Sequence, residues 1–438
     1  MNGMEIRMIK IKRTRLILFT FFVVLILISS IVKNNVTYCI LGGISVVLLS
    51  SVAYNFRKIT SLFICFFFIA YSTYSILMGV YLFPNIRPYF FQQFTDDSVY
   101  RIGIQCIYIF ALSLWFLTNL RDTEVECSVN CLYNDDDINK KNSIVALLCA
   151  FITILIICMN FSFGNSGERA TNTSLYEYKI IFCIVGMLYS GNSKLLKYMW
   201  EILILFSCLL SFAGGNRADA IPLIIALIYF YYNNTDFRKT IIIIVMGIFS
   251  MVAIGAFRET IIQGGFDLQI IIRKIVEEKF TFDTAYWAYI PALASISVAK
   301  IIPMSEKIKL IGGQILYILG GGRFNEYRLE FYVKKYFNHV NGFVSPVYFY
   351  MWFGLFGAVL FAILVYYCIE KTTFKKKKQL EKWKRNIIQC LSVYYISSVP
   401  RWYLYDPFGL IRGGMIMTIT CFLFICFDEM ITPKARII

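Results

Sequence analysis

Apolar residues in this chain gather into long, nearly unbroken runs, with polar positions confined to the stretches between them. Runs of spanning length lie at roughly 16–32, 36–54, 61–83, 102–120, 143–162, 179–190, 198–213, 218–232, 241–256, 346–369, 387–400 and 408–427. An α-helix needs about 20 apolar residues to cross the hydrocarbon of a bilayer. In lipid the backbone must satisfy its own hydrogen bonds, which helices do within one segment. The pattern therefore predicts an all-α fold, a polytopic transmembrane helix bundle of about 12 spans.

The polar stretches give the orientation. Segments 1–15, 55–60, 121–142, 191–197, 233–240, 370–386 and the C-terminal tail are rich in Lys and Arg, with Lys375 to Lys378 the densest cluster. Cytoplasmic loops carry such an excess, so both termini are expected in the cytoplasm of a plasma-membrane protein. Met1 to Arg15 is basic and leads into the first run without an A-x-A-like cleavage site, which reads as an uncleaved signal anchor.

One polar interval is far longer than the rest, and it divides the chain. Residues 1–256 hold helices 1–9, 257–345 form one large extracytoplasmic loop, and 346–438 hold helices 10–12. Within the loop Phe266 to Val276 reads as an amphipathic helix, and Thr284 to Ala299 carries no charge. The preferred arrangement is an external cap, because Pro291 and the Gly-rich run Leu310 to Gly322 make poor spans. The alternative lets both stretches enter the membrane, for fourteen spans. A loop this long with internal order is usually functional.

Composition agrees with the pattern. Hydrophobic residues make up 58%, charged residues 16%, and the mean hydropathy is +0.64. A soluble domain runs near 45–50% apolar and about 25% charged. The net charge of +16 does not point to nucleic acid, because the cations separate apolar runs and build no single basic face. The thirteen cysteines lie almost all inside apolar runs, where thiols behave as small hydrophobes. Cys127 and Cys131 share a polar loop but lack a second Cys/His pair, so no metal site is expected.

Candidate chemistry sits at the outer ends of the runs. Gly214-Gly215-Asn216-Arg217-Ala218-Asp219 joins two spans, and an arginine just before a helix can bind phosphate oxygens in pairs. The competing role is an arginine snorkelling to lipid headgroups. Pro400-Arg401-Trp402-Tyr403-Leu404-Tyr405-Asp406-Pro407, with Arg412 beyond, sets two arginines beside aromatics. These suit a lipid- or sugar-linked diphosphate, or else an interfacial anchor in which Asp406 pairs with Arg401. Arg258, followed by Glu259, is a further outer cation. His339 is the only histidine, a ready general base by type, although a lone loop histidine is more often simply solvated. The run Gly320-Gly321-Gly322-Arg323 lacks the strand-and-helix context of a dinucleotide loop. The spans themselves hold almost no ionisable residue, against an ion-driven pump.

Together these features resemble the O-antigen and capsular repeat-unit polymerases (Wzy type) and, more distantly, the O-antigen ligases. The likeness rests on Gly215-Asn216-Arg217-Ala218-Asp219 opening a span, the long outer loop, and Arg401-Trp402-Tyr403 before the last span. His339-Val340-Asn341 ahead of Gly354-Leu355-Phe356-Gly357 is similar to the ligase pattern, although here one residue separates His from Asn. The paired Arg-x10-Gly pattern of some polymerases is not evident. The resemblance implies a GT-C-like glycosyltransferase that takes undecaprenyl-diphosphate-linked oligosaccharide and needs neither metal nor other cofactor. It implies membrane lipids and a chain-length regulator as partners. Arg217, Arg401, Arg258 and Arg412 would bind the diphosphate, and His339, Asp219 or Asp406 would serve as catalytic base. The rival from another class is a lipid-linked oligosaccharide flippase.

Overall fold

The structure is a computed structural model. It describes residues 13–82, 96–119, 143–160, 174–213, 219–233, 235–247, 269, 284–337, 342–373 and 381–431. Every regular element among them is helical. The long helices are α1 (Arg13–Ile31), α2 (Asn35–Asn55), α3 (Thr60–Ile76, continued by a π-turn to Leu82), α4 (Asp97–Asn119), α5 (Ser143–Asn160), α6 (Lys179–Tyr189), α7 (Lys194–Ala213), α8 (Ala220–Tyr231) and α9 (237–247). They are followed by α10 (Thr284–Ile301), α11 (Met304–Gly320), α12 (Phe356–Thr373), α13 (Lys382–Trp402) and α14 (Pro407–Ile431). Among the described residues four helices are long and apolar enough to cross a membrane: Asn35–Asn55, Thr60–Leu82, Asp97–Asn119 and Pro407–Ile431. Shorter apolar helices include Ser143–Met159, Lys179–Tyr189, Ala220–Tyr231 and Phe356–Ile369.

Local chemistry sets several helix starts. Asn34 accepts a hydrogen bond from the Val36 amide at 3.1 Å and so caps α2. Asp406 does the same for α14, accepting from Phe408 N at 2.9 Å, with Pro407 at the first helical position. Asp caps and N1 prolines both suit a helix N-terminus, whose first amides lack partners. Packing then orders the bundle. Helices α3 and α4 are its most enclosed spans, α2 lies against both, and α13 packs on α3, α8, α12 and α14.

Contacts sort the helix ends into two sets. On one face the end of α2 meets the end of α4 through Asn55 and Asn119, and Asn233 after α8 accepts from Ser61 at the start of α3. On the other, Asn35 at the start of α2 donates to the Tyr81 carbonyl at the end of α3, and Lys300 pairs with Asp96 at 2.6 Å. Helices α2, α3 and α4 therefore alternate in direction.

The long segment between the two groups of spans contains α10, which packs against α3 and α4 with Ala285, Tyr289 and Leu293 buried. The Tyr289 hydroxyl lies 2.7 Å from that of Tyr81, in the space left by Gly103, where a Cβ would collide with it. Pro291 is accommodated inside this helix. The run expected as one span from 346 is instead broken: short turns Ser345–Tyr348 and Tyr350–Phe353 precede α12. The break falls at Gly354, whose φ of +57° other residues rarely adopt.

Candidate functional site

The ends of α13, α14, α6 and α8 converge on one charged cluster. Arg401, in the last turn of α13, forms ion pairs with Glu177 at 2.8 Å and Asp219 at 3.0 Å. Glu177 ends a short turn just before α6, and Asp219 directly precedes α8. Arg401 also lies 5.3 Å from the Trp402 ring centroid and 5.8 Å from that of Tyr405. One guanidinium thus ties three parts of the chain that are far apart in sequence.

A second cluster adjoins the first. Arg328 pairs with Glu330 and lies 3.4 Å from Asp406. Asp406 is fully buried and caps α14 through one carboxylate oxygen, with the other within ion-pair range of Arg328. The expected pairing of Asp406 with Arg401 does not occur. Burial pushes the Asp406 and Glu330 carboxyls up from their ordinary values, and the neighbouring Arg328 pulls both back only in part.

Arg412 links the two clusters. Its guanidinium lies 5.4 Å from the Tyr178 ring and 5.6 Å from the Tyr317 ring, and Arg328 lies 5.3 Å from the same Tyr317 ring. Among the described residues Arg412 has no carboxylate partner within 4 Å. The glycine run has its place here. Gly321 sits at φ +63°, ψ −137°, a conformation open essentially to glycine alone, and a Cβ there would overlap the Arg412 guanidinium. Gly321→Ala is therefore expected to cost about 1–3 kcal/mol from backbone strain and to displace Arg412. Gly322→Ala, whose Cβ would meet nothing closer than 3.6 Å, is the control. Thermal midpoints of the two purified variants check this, and equal midpoints would refute it.

The segment carrying Arg401 and Asp406 is held by the chain that follows the long loop. Phe343 N donates to Leu404 O and Ser345 N to Tyr403 O, each at 2.8 Å, and Ser345 Oγ donates to Tyr405 O at 2.7 Å. Residues 402–405 are thus zipped to 343–345, and the position of Arg401 is fixed by backbone bonds as well as by its ion pairs.

Of the residues singled out in the sequence, Arg401, Arg412, Asp219 and Asp406 come together in this region. Arg217, Arg258, Glu259 and His339 lie outside the described residues. The sequence reading missed Glu177, Lys179 and Glu330 altogether and gave Arg328 no role. The available signal was Glu177-Tyr178-Lys179, a charged triplet opening an apolar run that has no topological need of it. No group of three or more His, Cys, Asp or Glu side chains that could hold a metal occurs among the described residues. No protein-family model, curated protein or solved structure matches the chain.

Proposed function

We propose that this protein is a membrane glycosyltransferase that joins lipid-diphosphate-linked oligosaccharide repeat units into a surface polysaccharide, O-antigen or capsule. The observation that carries the reading is the gathering of Arg412 and Arg328 around Tyr317, with Arg412 also at Tyr178 and Arg401 nearby at Glu177 and Asp219, where several helices end together. A lipid diphosphate demands charge-assisted donors at a helix-end face, beside apolar surface for its tail. Arg412 is held by the Tyr317 hydroxyl and two aromatic rings and by no described carboxylate, so phosphate oxygens meet no carboxylate competitor there. This reading places the cluster at the outer face of a GT-C-like bundle of about 12 spans in the plasma membrane, with both termini cytoplasmic. Undecaprenyl-diphosphate-linked oligosaccharide is the substrate, and a chain-length regulator is the expected protein partner.

The reaction then follows from the groups present. An acceptor sugar hydroxyl attacks the anomeric carbon of the donor sugar, whose bond to the phosphate oxygen breaks. The electron pair leaves with the lipid diphosphate, and arginines stabilise the growing charge. A carboxylate takes the hydroxyl proton. Asp219 fits that role better than Asp406, which is sealed from solvent and already caps a helix. His339 is the other candidate.

Cells lacking the protein distinguish this reading from its rivals. A missing polymerase leaves single repeat units at the surface, and a missing ligase leaves long polymer unattached. Repeat units trapped in the cytoplasmic leaflet would identify a flippase and overturn the proposal.

A further inference from the structure

Lys179 sits at the start of α6 with only 2% of its surface exposed, and its amine makes no hydrogen bond among the described residues. It lies against the Tyr176 ring, whose centroid is 3.2 Å from Nζ, and close enough to Asp219 and Arg401 to feel both charges. An aromatic face attracts a cation but accepts none of the three N–H donors in the way an oxygen would. Burying an ammonium without oxygen partners is costly, and a protein retains such a group where something else supplies them. Lys179 opens onto a narrow cleft shared with Arg401, Asp219, Tyr176 and Tyr394. Arg401 Nε is a second buried donor there without a partner. Two unsatisfied cationic donors thus line one cleft.

The positions of the opposing charges matter equally. Both cations stand on long helices, α6 and α13. The two carboxylates that neutralise Arg401 come from the short turn ending at Glu177 and from Asp219 ahead of α8, and the Glu177 side chain is 38% exposed. Glu177 is the accessible carboxylate and Asp219, 9% exposed, the shielded one, so a phosphate oxygen reaches the place of Glu177 first. We propose that this cleft is an oxyanion site for a phosphoryl group, in which Lys179 and Arg401 exchange Glu177 and Asp219 for phosphate oxygens. The inference rests on the proposed function, since it takes the phosphoryl group to be that of the donor lipid diphosphate. A phospholipid headgroup has the same chemistry and is the competing source.

The test measures binding of a polyprenyl diphosphate, and separately of phosphatidylglycerol, to the purified full-length protein in detergent. Lys179→Met is expected to weaken polyprenyl diphosphate binding about tenfold or more, a loss of about 1.4 kcal/mol. Glu177→Gln and Asp219→Asn are expected to tighten it severalfold, because each removes an internal competitor for Arg401. Misfolding would not produce tightening. Unchanged binding in Lys179→Met, or weaker binding in both carboxylate variants, overturns the inference while leaving the polymerase reading intact. Parallel changes for phosphatidylglycerol alone mean that the cleft holds a structural lipid, and this too overturns it. No binding of polyprenyl diphosphate by the wild-type protein removes the proposed function along with it.

Discussion

On the proposed function, Arg401→Ala is expected to stop polymer formation while the protein still reaches the membrane. Removing one charge-assisted contact made in a transition state costs about 2.7–4 kcal/mol, or roughly 10²–10³ in rate, by analogy with an oxyanion-hole donor. The structure adds a second effect. Arg401 neutralises Asp219, whose side chain is only 9% exposed, so the alanine variant also leaves a nearly buried carboxylate without its partner. Arg401→Lys separates the two effects. An ammonium can still answer one carboxylate but cannot present paired N–H groups to phosphate oxygens, so it should restore folding better than activity. Arg217→Ala is expected to behave like Arg401→Ala. The check is surface-polymer length together with membrane abundance of each variant. Normal polymer from both alanine variants would remove these arginines from the proposed active site.

The second large effect concerns stability. Arg328→Met is expected to destabilise the protein by about 3–5 kcal/mol, the usual result of deleting one partner of a buried ion pair. It leaves Glu330 and Asp406 without their ion-pair partner, with Lys334 the more distant cation that still acts on Glu330, and both carboxyls are already shifted upward by burial. The sign with pH follows from proton counting. Between the ordinary carboxyl pKa and a raised one, the folded state binds more protons than the unfolded chain, so stability from these groups grows as pH falls. Without Arg328 the upward shift is larger. The deficit of Arg328→Met should therefore shrink as pH falls toward the ordinary carboxyl range. Thermal midpoints measured as pH is lowered test it, and a deficit that stays constant or widens would contradict the assignment.

The helices were legible in the sequence because lipid-length apolar runs leave the backbone little alternative. α2, α3, α4 and α14 lie where the runs are longest. Helix α10 was harder to place. Pro291 argued against a span, yet the residues around it pack against α3 and α4 beside Gly103, a steric fit that periodicity does not report. The broken start of α12 was hidden because apolar composition continues through Gly354 while its backbone turns away. At the site, Arg401, Arg412, Asp219 and Asp406 stood out because charge beside glycine or aromatics at a span end is unusual. Their pairing was not legible. Asp406 looked like the partner of Arg401 from proximity in sequence, but it answers Arg328, and Arg401 answers Glu177 and Asp219. Ion pairs between residues about two hundred positions apart leave no trace in local spacing.

The three-way tie at Arg401 also sets an order of assembly. Glu177, Lys179 and Asp219 are synthesised and inserted well before the helix that carries Arg401. Until α13 arrives, the growing chain holds two carboxylates near the bilayer without their guanidinium, and ionisable groups in that setting are costly. The clasp therefore closes only once α13 has joined the bundle. A chain cut short before residue 401 would lack the clasp entirely and would present an open, charged seam to membrane quality-control proteases.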